Sequence, residues 1–278
     1  MLGCNSFSLN LLSRDKNEKT GADTHVLPAP PGRYTFRIAP FVFRSDFEVQ
    51  RDLPLFEELA KLSDQVYREL RLTPSRSAVQ VYLFENKERY EQFMHAVYPN
   101  LPPRRAFFIA QQRAMGSADD LLVYTRWGER VQQDLRHELT HALLHSVIRE
   151  VPLWLDEGLA EYFELPPSCR GVNAAHVEAL RRDFGVSFRP DLDRLERMKD
   201  VKDMNRPEYR EAWLWVHLML RTPAAKKVLL AYLQELRTNH NPGPLAPRLA
   251  PVFASLPDAF ENYLRQLELP ADTPSARR

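Results

Sequence analysis

The chain has 278 residues, of which 44% are hydrophobic and 27% charged, and this is enough for one large domain or two smaller lobes. Its formal net charge of +1 at pH 7 gives no electrostatic reason to expect nucleic acid or an anionic membrane as a partner. The nine glycines lie too far apart for a phosphate-binding loop or a dinucleotide fingerprint, and a Gly-x-Ser-x-Gly nucleophile motif does not occur, which excludes the commonest rival enzyme classes.

Residues 1–32 are polar and then proline-rich, without a hydrophobic period, which predicts a flexible leader. Within it the tetrapeptide Met-Leu-Gly-Cys, ending at Cys4, resembles the end of a bacterial lipoprotein signal, whose cysteine is lipidated after cleavage. The apolar run that belongs before such a cysteine does not occur. Either the resemblance is chance and the protein is cytoplasmic, or the start codon lies upstream and the protein is a lipoprotein of the cell envelope. No stretch approaches the ~20 apolar residues that span a bilayer, so no transmembrane segment is expected.

Hydrophobic periodicity predicts a mixture of strands and helices between residues 33 and 150. Apolar residues alternate over 34–43 as in a strand, and they recur at helical spacing over about 50–71. The further predicted elements are a strand at 78–84, a short helix at 87–97, strands at 106–110 and 121–125, and a helix at about 129–146. The last two strands form a hairpin joined across Gly116 and Ser117.

After Pro152 the apolar pattern is helical throughout. Helices are predicted near 153–165, 173–184, 206–221, 223–237 and 257–268. Asn205, followed three residues later by Glu208, forms a capping box for the third of these helices. The proline-rich segment 238–252 is predicted to be irregular, and the polar tail 271–278 to be disordered.

These patterns predict an α+β fold for residues 33–270. A mixed α/β N-terminal lobe covers about 33–150, and a helical C-terminal lobe covers about 151–270. A site at the boundary of the two lobes would lie in a cleft, which suits a polymeric substrate.

The segment His-Glu-Leu-Thr-His, residues 137–141, lies inside the predicted helix at 129–146. On a helix His137 and His141 stand at positions i and i+4, so both imidazoles project from one face. Two imidazole nitrogens, a carboxylate oxygen and an open position for water make up a catalytic zinc site. Glu138 falls beside that water, where a general base is needed. Alone, this motif is only a moderate indication of a zinc site, because a polar helix face with hydrogen-bonded histidines gives the same pattern.

A second segment, Trp-Leu-Asp-Glu-Gly-Leu-Ala-Glu-Tyr, supplies the missing carboxylate. Glu157 follows His141 by sixteen residues, a separation that lets a second helix cross back over the first and present a third ligand. Glu161 lies four residues further on the same helical face, where it can accept a hydrogen bond from a ligand imidazole. His145 extends the row of His137 and His141 by one turn, as an interior histidine or, alternatively, a fourth ligand. The sequence therefore predicts one bound zinc ion.

Both segments resemble those of the gluzincin metallopeptidases, relatives of thermolysin and of the zinc aminopeptidases. In that group the third ligand is the glutamate of an Asn-Glu or Asp-Glu pair on the helix after the active one, and residues 156–160 are similar to the aminopeptidase version. More closely, residues 134–141 and 152–162 resemble a peptidase-MA-like family of bacterial proteins of uncharacterised function. Residues 104–108 and 81–84 add to that likeness.

The resemblance covers about residues 34–220 and implies an α+β fold with a thermolysin-like catalytic core. Tyr209 begins a segment similar to one in aminopeptidases whose tyrosine stabilises the tetrahedral intermediate; otherwise it covers an amphipathic helix. His217 is a rival oxyanion donor about 12 Å along the same helix, or else a core histidine with one hydrogen bond. Gluzincins bind an extended peptide against a strand edge, here 106–110 or 121–125. The Met-Glu-Asn segment that holds a free amino terminus in aminopeptidases has no counterpart, which argues against an exopeptidase.

Residues and resemblance together predict a zinc metallo-endopeptidase acting on a peptide or protein substrate. Zinc is expected on His137, His141 and Glu157, with Glu138 as the base. One alternative is a non-catalytic zinc-binding interaction module, although such a module has no use for a base. The other is a zinc hydrolase of a non-peptide amide, such as a cell-wall cross-link, which needs the same groups.

Overall fold

A mixed β-sheet forms one layer of the fold. The computed structural model describes residues 27–111 and 119–269, together with the backbone of one strand at Ser6–Leu9. The strands are β1 (Ser6–Leu9), β2 (Tyr34–Ile38), β3 (Phe41–Ser45), β4 (Val79–Phe84), β5 (Ala106–Gln111) and β6 (Asp120–Arg126). Their order in the sheet is β1-β5-β6-β4-β3-β2. The pairs β5–β6 and β2–β3 are antiparallel, and the other neighbours are parallel.

Helices pack on this sheet and form the C-terminal part of the fold. They are α1 (Pro54–Leu70), α2 (Lys87–Val97), α3 (Val131–His145), α4 (Leu153–Phe163), α5 (Ala174–Asp183), α6 (Leu192–Arg197), α7 (Arg206–Arg221), α8 (Pro223–Leu236), α9 (Ala246–Leu249) and α10 (Leu256–Gln266). The predicted α+β class is confirmed. Among the helices described here, none is long and apolar enough to cross a membrane.

Sequence periodicity locates the longer elements and misses the shortest ones. The β5–β6 pairing and the capping box of α7 are confirmed, and the Asn205 backbone N–H donates to Glu208 Oε2 at 2.8 Å. The elements β1, α6 and α9 have no predicted counterpart, because six residues or fewer are too short to show a hydrophobic period. The segment 238–252, predicted to be an irregular connection, contains the short helix α9. Cys4, the Gly116–Ser117 turn and the 271–278 tail lie outside the described residues.

Helix α3 is enclosed by other elements on all sides. It packs against α1, α4, β5 and β6, and its residues 134–144 are all buried. A helix that is buried all round is normally apolar. In contrast, α3 carries the buried polar residues Asp134, Arg136, His137, Glu138, Thr140 and His141. Buried polar groups are costly unless they have partners. The groups that surround these side chains therefore indicate the role of the helix.

Helices α4 and α7 approach each other closely at Gly158. A Cβ atom added there would lie 2.6 Å from the Ala212 carbonyl oxygen and 2.8 Å from Val216 Cγ2. Because backbone cannot move aside cheaply, we expect Gly158→Ala to destabilise the fold by about 1–3 kcal/mol. Thermal unfolding should show a melting temperature lower by roughly 2–4 °C per kcal/mol. The matched control is Gly128→Ala, where the nearest atom is the flexible Arg126 side chain at 3.7 Å. Equal melting temperatures for the two variants would contradict this packing.

Candidate metal centre

Two consecutive helices bring three candidate ligands to one point. His137 and His141 lie one turn apart on α3, and Glu157 lies on α4, which packs against α3. The Glu157 Oε2 atom is 3.5 Å from His137 Nε2 and 3.7 Å from His141 Nε2. None of the three residues is more than 4% exposed. The three residues singled out by their spacing in the sequence are therefore adjacent, with two nitrogens and a carboxylate oxygen facing one another.

The facing atoms of this group have no hydrogen-bond partner in the part of the chain that the structure describes. This holds for His137 Nε2, His141 Nε2 and both carboxylate oxygens of Glu157. A buried polar atom left unsatisfied costs about 1–3 kcal/mol, so four of them at one point are unfavourable unless something binds them. Imidazole and carboxylate are donors that proteins use for divalent transition metals. The arrangement fits such an ion, and these buried residues could hold one.

The remaining ring nitrogens of the two histidines face carboxylates. His137 Nδ1 donates to Glu164 Oε2 at 3.1 Å, and His141 Nδ1 lies 3.0 Å from Asp156 Oδ1. When Nδ1–H points at a carboxylate, the lone pair of Nε2 stays available for a metal and the imidazole becomes a stronger ligand. Both rings are thus held with Nε2 directed toward Glu157.

Asp156 also holds the histidine one turn beyond the candidate ligands. Its Oδ2 atom accepts a hydrogen bond from His145 Nε2 at 3.0 Å, and His145 Nδ1 lies 3.3 Å from the Arg149 carbonyl oxygen. Burial alone would raise the pKa of Asp156, but the imidazoles of His141 and His145 outweigh burial and hold that pKa below its ordinary value. Within the described ranges, neither candidate ligand group includes His145. It occupies the interior position expected from the sequence.

Glu138, the predicted base, is fully buried beside β5. Its carboxylate accepts a hydrogen bond from the backbone N–H of Phe108 in β5. Burial raises the pKa of Glu138 well above its ordinary value, and the negative charge of Glu157 raises it further, while the Phe108 hydrogen bond opposes both. A general base works best when its pKa lies near the working pH. This environment therefore makes the Glu138 carboxylate a stronger proton acceptor than an exposed glutamate.

Glu161 lies on the same face of α4 but bonds to a different histidine. Its Oε2 atom accepts a hydrogen bond from His176 Nε2 on α5 at 2.9 Å. With His137 and Glu164 it forms a second buried group whose potential ligand atoms lie within 4.8 Å of one another. Glu164 is already engaged, since it accepts from His137 Nδ1 and from Gln133 Nε2 at 2.7 Å. The hydrogen bond to a ligand imidazole that the sequence predicts for Glu161 is made by Glu164.

Glu161, which lies within α4, and Glu164, at the C-terminal end of α4, should therefore affect metal affinity differently. Glu164→Gln removes the charged acceptor of His137 and is expected to weaken metal binding about 10- to 100-fold. Glu161→Gln makes the same chemical change, but its effect should be smaller because its partner is His176. Competition with a chromogenic chelator measures both affinities. A larger loss of metal affinity in Glu161→Gln than in Glu164→Gln would show that Glu161, and not Glu164, orients the ring of His137.

Tyr209 and His217, the two predicted oxyanion donors, line different cavities although both lie on α7. Tyr209 lines a cavity of about 230 Å³ that His137 also lines. His217 lines another cavity, and its Nδ1 is 2.7 Å from the Tyr263 hydroxyl. Burial, followed by the charge of Arg221, lowers the pKa of His217 to about 4, so this imidazole is neutral at pH 7. Tyr209 therefore shares a cavity with the candidate ligand His137, and His217 does not.

Comparison with known proteins adds one finding. Residues 133–242 match a family described as "Protein of unknown function (DUF1570)". The matched segment contains the three candidate ligands, Glu138 and Tyr209, while β1 to β6 lie before it. No curated protein matched the chain. The chain is thus similar, over α4 to α8 and nearly all of α3, to a family without an assigned activity.

Proposed function

We propose that this protein is a zinc-dependent metallo-endopeptidase of gluzincin type with a thermolysin-like core. The observation that carries the proposal is the convergence of His137 Nε2, His141 Nε2 and the Glu157 carboxylate, all buried and without hydrogen-bond partners among the described residues. Three protein ligands with an open fourth position are the arrangement of catalytic zinc, whereas structural zinc has four protein ligands. Zinc is therefore the metal that we propose for this donor set.

The chemistry of the proposal depends on the groups that adjoin the three ligands. Zinc held there supplies Lewis-acid polarisation of a carbonyl group and acidification of water. Glu138 accepts the proton of the attacking water and passes it to the leaving amine, a role that suits its raised pKa. Glu164 and Asp156 fix the rings of His137 and His141, so the two imidazoles need no reorganisation during the reaction.

Tyr209 is the proposed donor to the developing oxyanion. Its phenol is buried, and burial, followed by the charge of Glu157, raises its pKa above the ordinary value. A phenol that stays protonated can donate a hydrogen bond throughout the neutral pH range. Donors placed where negative charge develops are among the largest contributions to catalysis. The position of Tyr209 in the cavity lined by His137 supports this role.

Glu138 favours a hydrolase over a non-catalytic binding module. A carboxyl group at 0% exposure, with a pKa raised by burial and by Glu157, is costly to keep in a protein interior. A structural metal site gains nothing from such a group. Strongly perturbed carboxyl groups beside a metal-binding cluster are instead typical of active sites.

The proposal is tested by hydrolysis with and without the metal. Zinc-loaded protein is incubated with a quenched-fluorescent peptide library, then with the same library after treatment with a chelator and after zinc is restored. We expect internal peptide bonds to be cleaved, activity to be lost with the chelator and activity to return with zinc. A parallel panel of muropeptides detects hydrolysis of a non-peptide amide. Cleavage confined to muropeptides would contradict the peptidase, and no cleavage in either panel would contradict the enzyme.

A further inference from the structure

The outer edge of the sheet beside the candidate metal centre is covered by a segment of the chain itself. Strand β5 pairs with β6 on one side and with β1 on the other. The β1–β5 pairing is parallel, and its Cα partners are Ser6 with Phe108, Phe7 with Ile109, Ser8 with Ala110 and Leu9 with Gln111. Without β1, β5 would be the end strand of the sheet and would offer its main-chain groups to another extended chain.

The covered edge begins at a residue that contacts the candidate catalytic groups. The Phe108 ring lies against two histidines of α3, with centroid distances of 6.3 Å to His141 and 5.4 Å to His145. The Phe108 backbone N–H donates to the carboxylate of Glu138. Because Ser6 is the register partner of Phe108, β1 starts beside the residue that touches the base.

We propose that β1 occupies the strand position in which an extended peptide substrate binds, so that the chain inhibits itself with its own N-terminal segment. This inference rests on the proposed peptidase function. Peptides add to an exposed sheet edge through main-chain hydrogen bonds, and one edge accepts only one strand at a time. A tethered segment has an effective concentration on the order of mM. A substrate at micromolar concentration would therefore compete poorly with β1.

The alternative is that β1 is an ordinary sixth strand that stabilises the sheet. Displacement of β1 from the edge of β5 has different consequences in the two cases. A structural strand, once displaced, lowers stability and leaves activity unchanged or reduced. An inhibitory strand, once displaced, increases activity and exposes a binding edge for other peptides.

The first test substitutes two residues of β1 in the otherwise unchanged chain. Phe7→Pro with Ser8→Pro removes two main-chain donors and places proline where it disrupts strand pairing. The control, Thr24→Pro with His25→Pro, makes the same change in the N-terminal segment outside β1. We expect the β1 variant to show kcat/KM on the best library peptide raised by about 10-fold or more, with the control unchanged. Equal kcat/KM for the β1 variant and the unsubstituted chain, or a fall together with a lower melting temperature, would overturn the proposal.

A second test does not depend on hydrolysis. A fluorescein-labelled synthetic peptide with the sequence of residues 5–16 is titrated into two proteins that both carry Glu138→Gln, one with an intact β1 and one with the two prolines in β1. Fluorescence anisotropy should show tight binding only to the proline variant. Equal binding to both proteins would overturn the inference. If neither the β1 variant nor the unsubstituted chain cleaves any peptide, the proposed function fails, and this binding comparison still decides whether β1 covers a peptide-binding edge.

Discussion

Replacement of Glu138 by glutamine is expected to leave one zinc ion bound per chain while hydrolysis falls by about 10²- to 10⁴-fold, the usual contribution of a general base. Glutamine has nearly the shape of glutamate and can still accept the hydrogen bond from the Phe108 N–H. It cannot take a proton from water. The three candidate ligands are untouched, because Glu138 points toward β5 and is not part of either ligand group among the described residues. Metal analysis by mass spectrometry and the quenched-fluorescent peptide assay give the two readouts.

The matched control for this variant is Glu129→Gln, an exposed glutamate just before α3. It should retain both zinc and activity. Full turnover in Glu138→Gln would contradict the proposed role of Glu138. Loss of zinc from Glu138→Gln would show instead that this carboxylate is a ligand, and the assignment of Glu157 would need revision.

Glu157→Ala is expected to have the largest effect on metal binding. It removes the only carboxylate of the predicted ligand group, whose Oε2 lies within 3.7 Å of both facing histidine nitrogens. The loss of zinc affinity should exceed the 10- to 100-fold that is typical when only a hydrogen-bond partner of a ligand is removed. Zinc should raise the melting temperature of the unsubstituted protein, because a ligand at 100 times its Kd adds about 2.7 kcal/mol to the free energy of unfolding. The variant should show no such rise.

An exposed glutamate on a neighbouring helix provides the control for this experiment. Glu178→Ala on α5 removes the same side chain where it is exposed, so zinc should stabilise that variant as it does the unsubstituted protein. Unchanged zinc content in Glu157→Ala would refute the ligand assignment. The comparison with Glu164→Gln then separates the loss of a ligand from the loss of a hydrogen-bond partner of a ligand.

The candidate ligands are predictable from sequence because their geometry is local. The i, i+4 spacing of His137 and His141 fixes two imidazoles on one helix face, whatever surrounds the helix. The prediction of Glu157 as the third ligand requires in addition that α4 folds back on α3. The short connection between the two helices favours that arrangement. The long helices and the β5–β6 pair are also predictable from local sequence, because their hydrophobic periods extend over enough residues to be recognised.

The partners of the ligands are not local, and the sequence does not decide among them. Glu161 and Glu164 both lie on the ligand side of α4, and the crossing of α3 with α4 determines that Glu164 reaches His137. Glu161 instead accepts a hydrogen bond from His176 of α5. A signal for Glu164 does exist, because it follows Glu157 by seven residues and so lies on the same face. Nothing in the spacing shows which of the two would bond to the ligand.

Strand β1 shows a second limit of sequence analysis. Its four residues, Ser-Phe-Ser-Leu, alternate in polarity but are too few to stand out in a polar segment. What makes them a strand is the free edge of β5, which is more than 90 residues away in the chain. A pairing of this kind depends on tertiary structure, and only the assembled sheet reveals it.

Anomalous diffraction from zinc-loaded crystals, recorded on both sides of the zinc absorption edge, locates the metal itself. We expect one zinc peak bonded at about 2.0–2.2 Å to His137 Nε2, His141 Nε2 and a carboxylate oxygen of Glu157. A peak bonded to Glu161 and Glu164 instead would place the metal in the neighbouring acidic group and separate it from Glu138. That result, or the absence of any zinc peak, would contradict the proposed metallopeptidase.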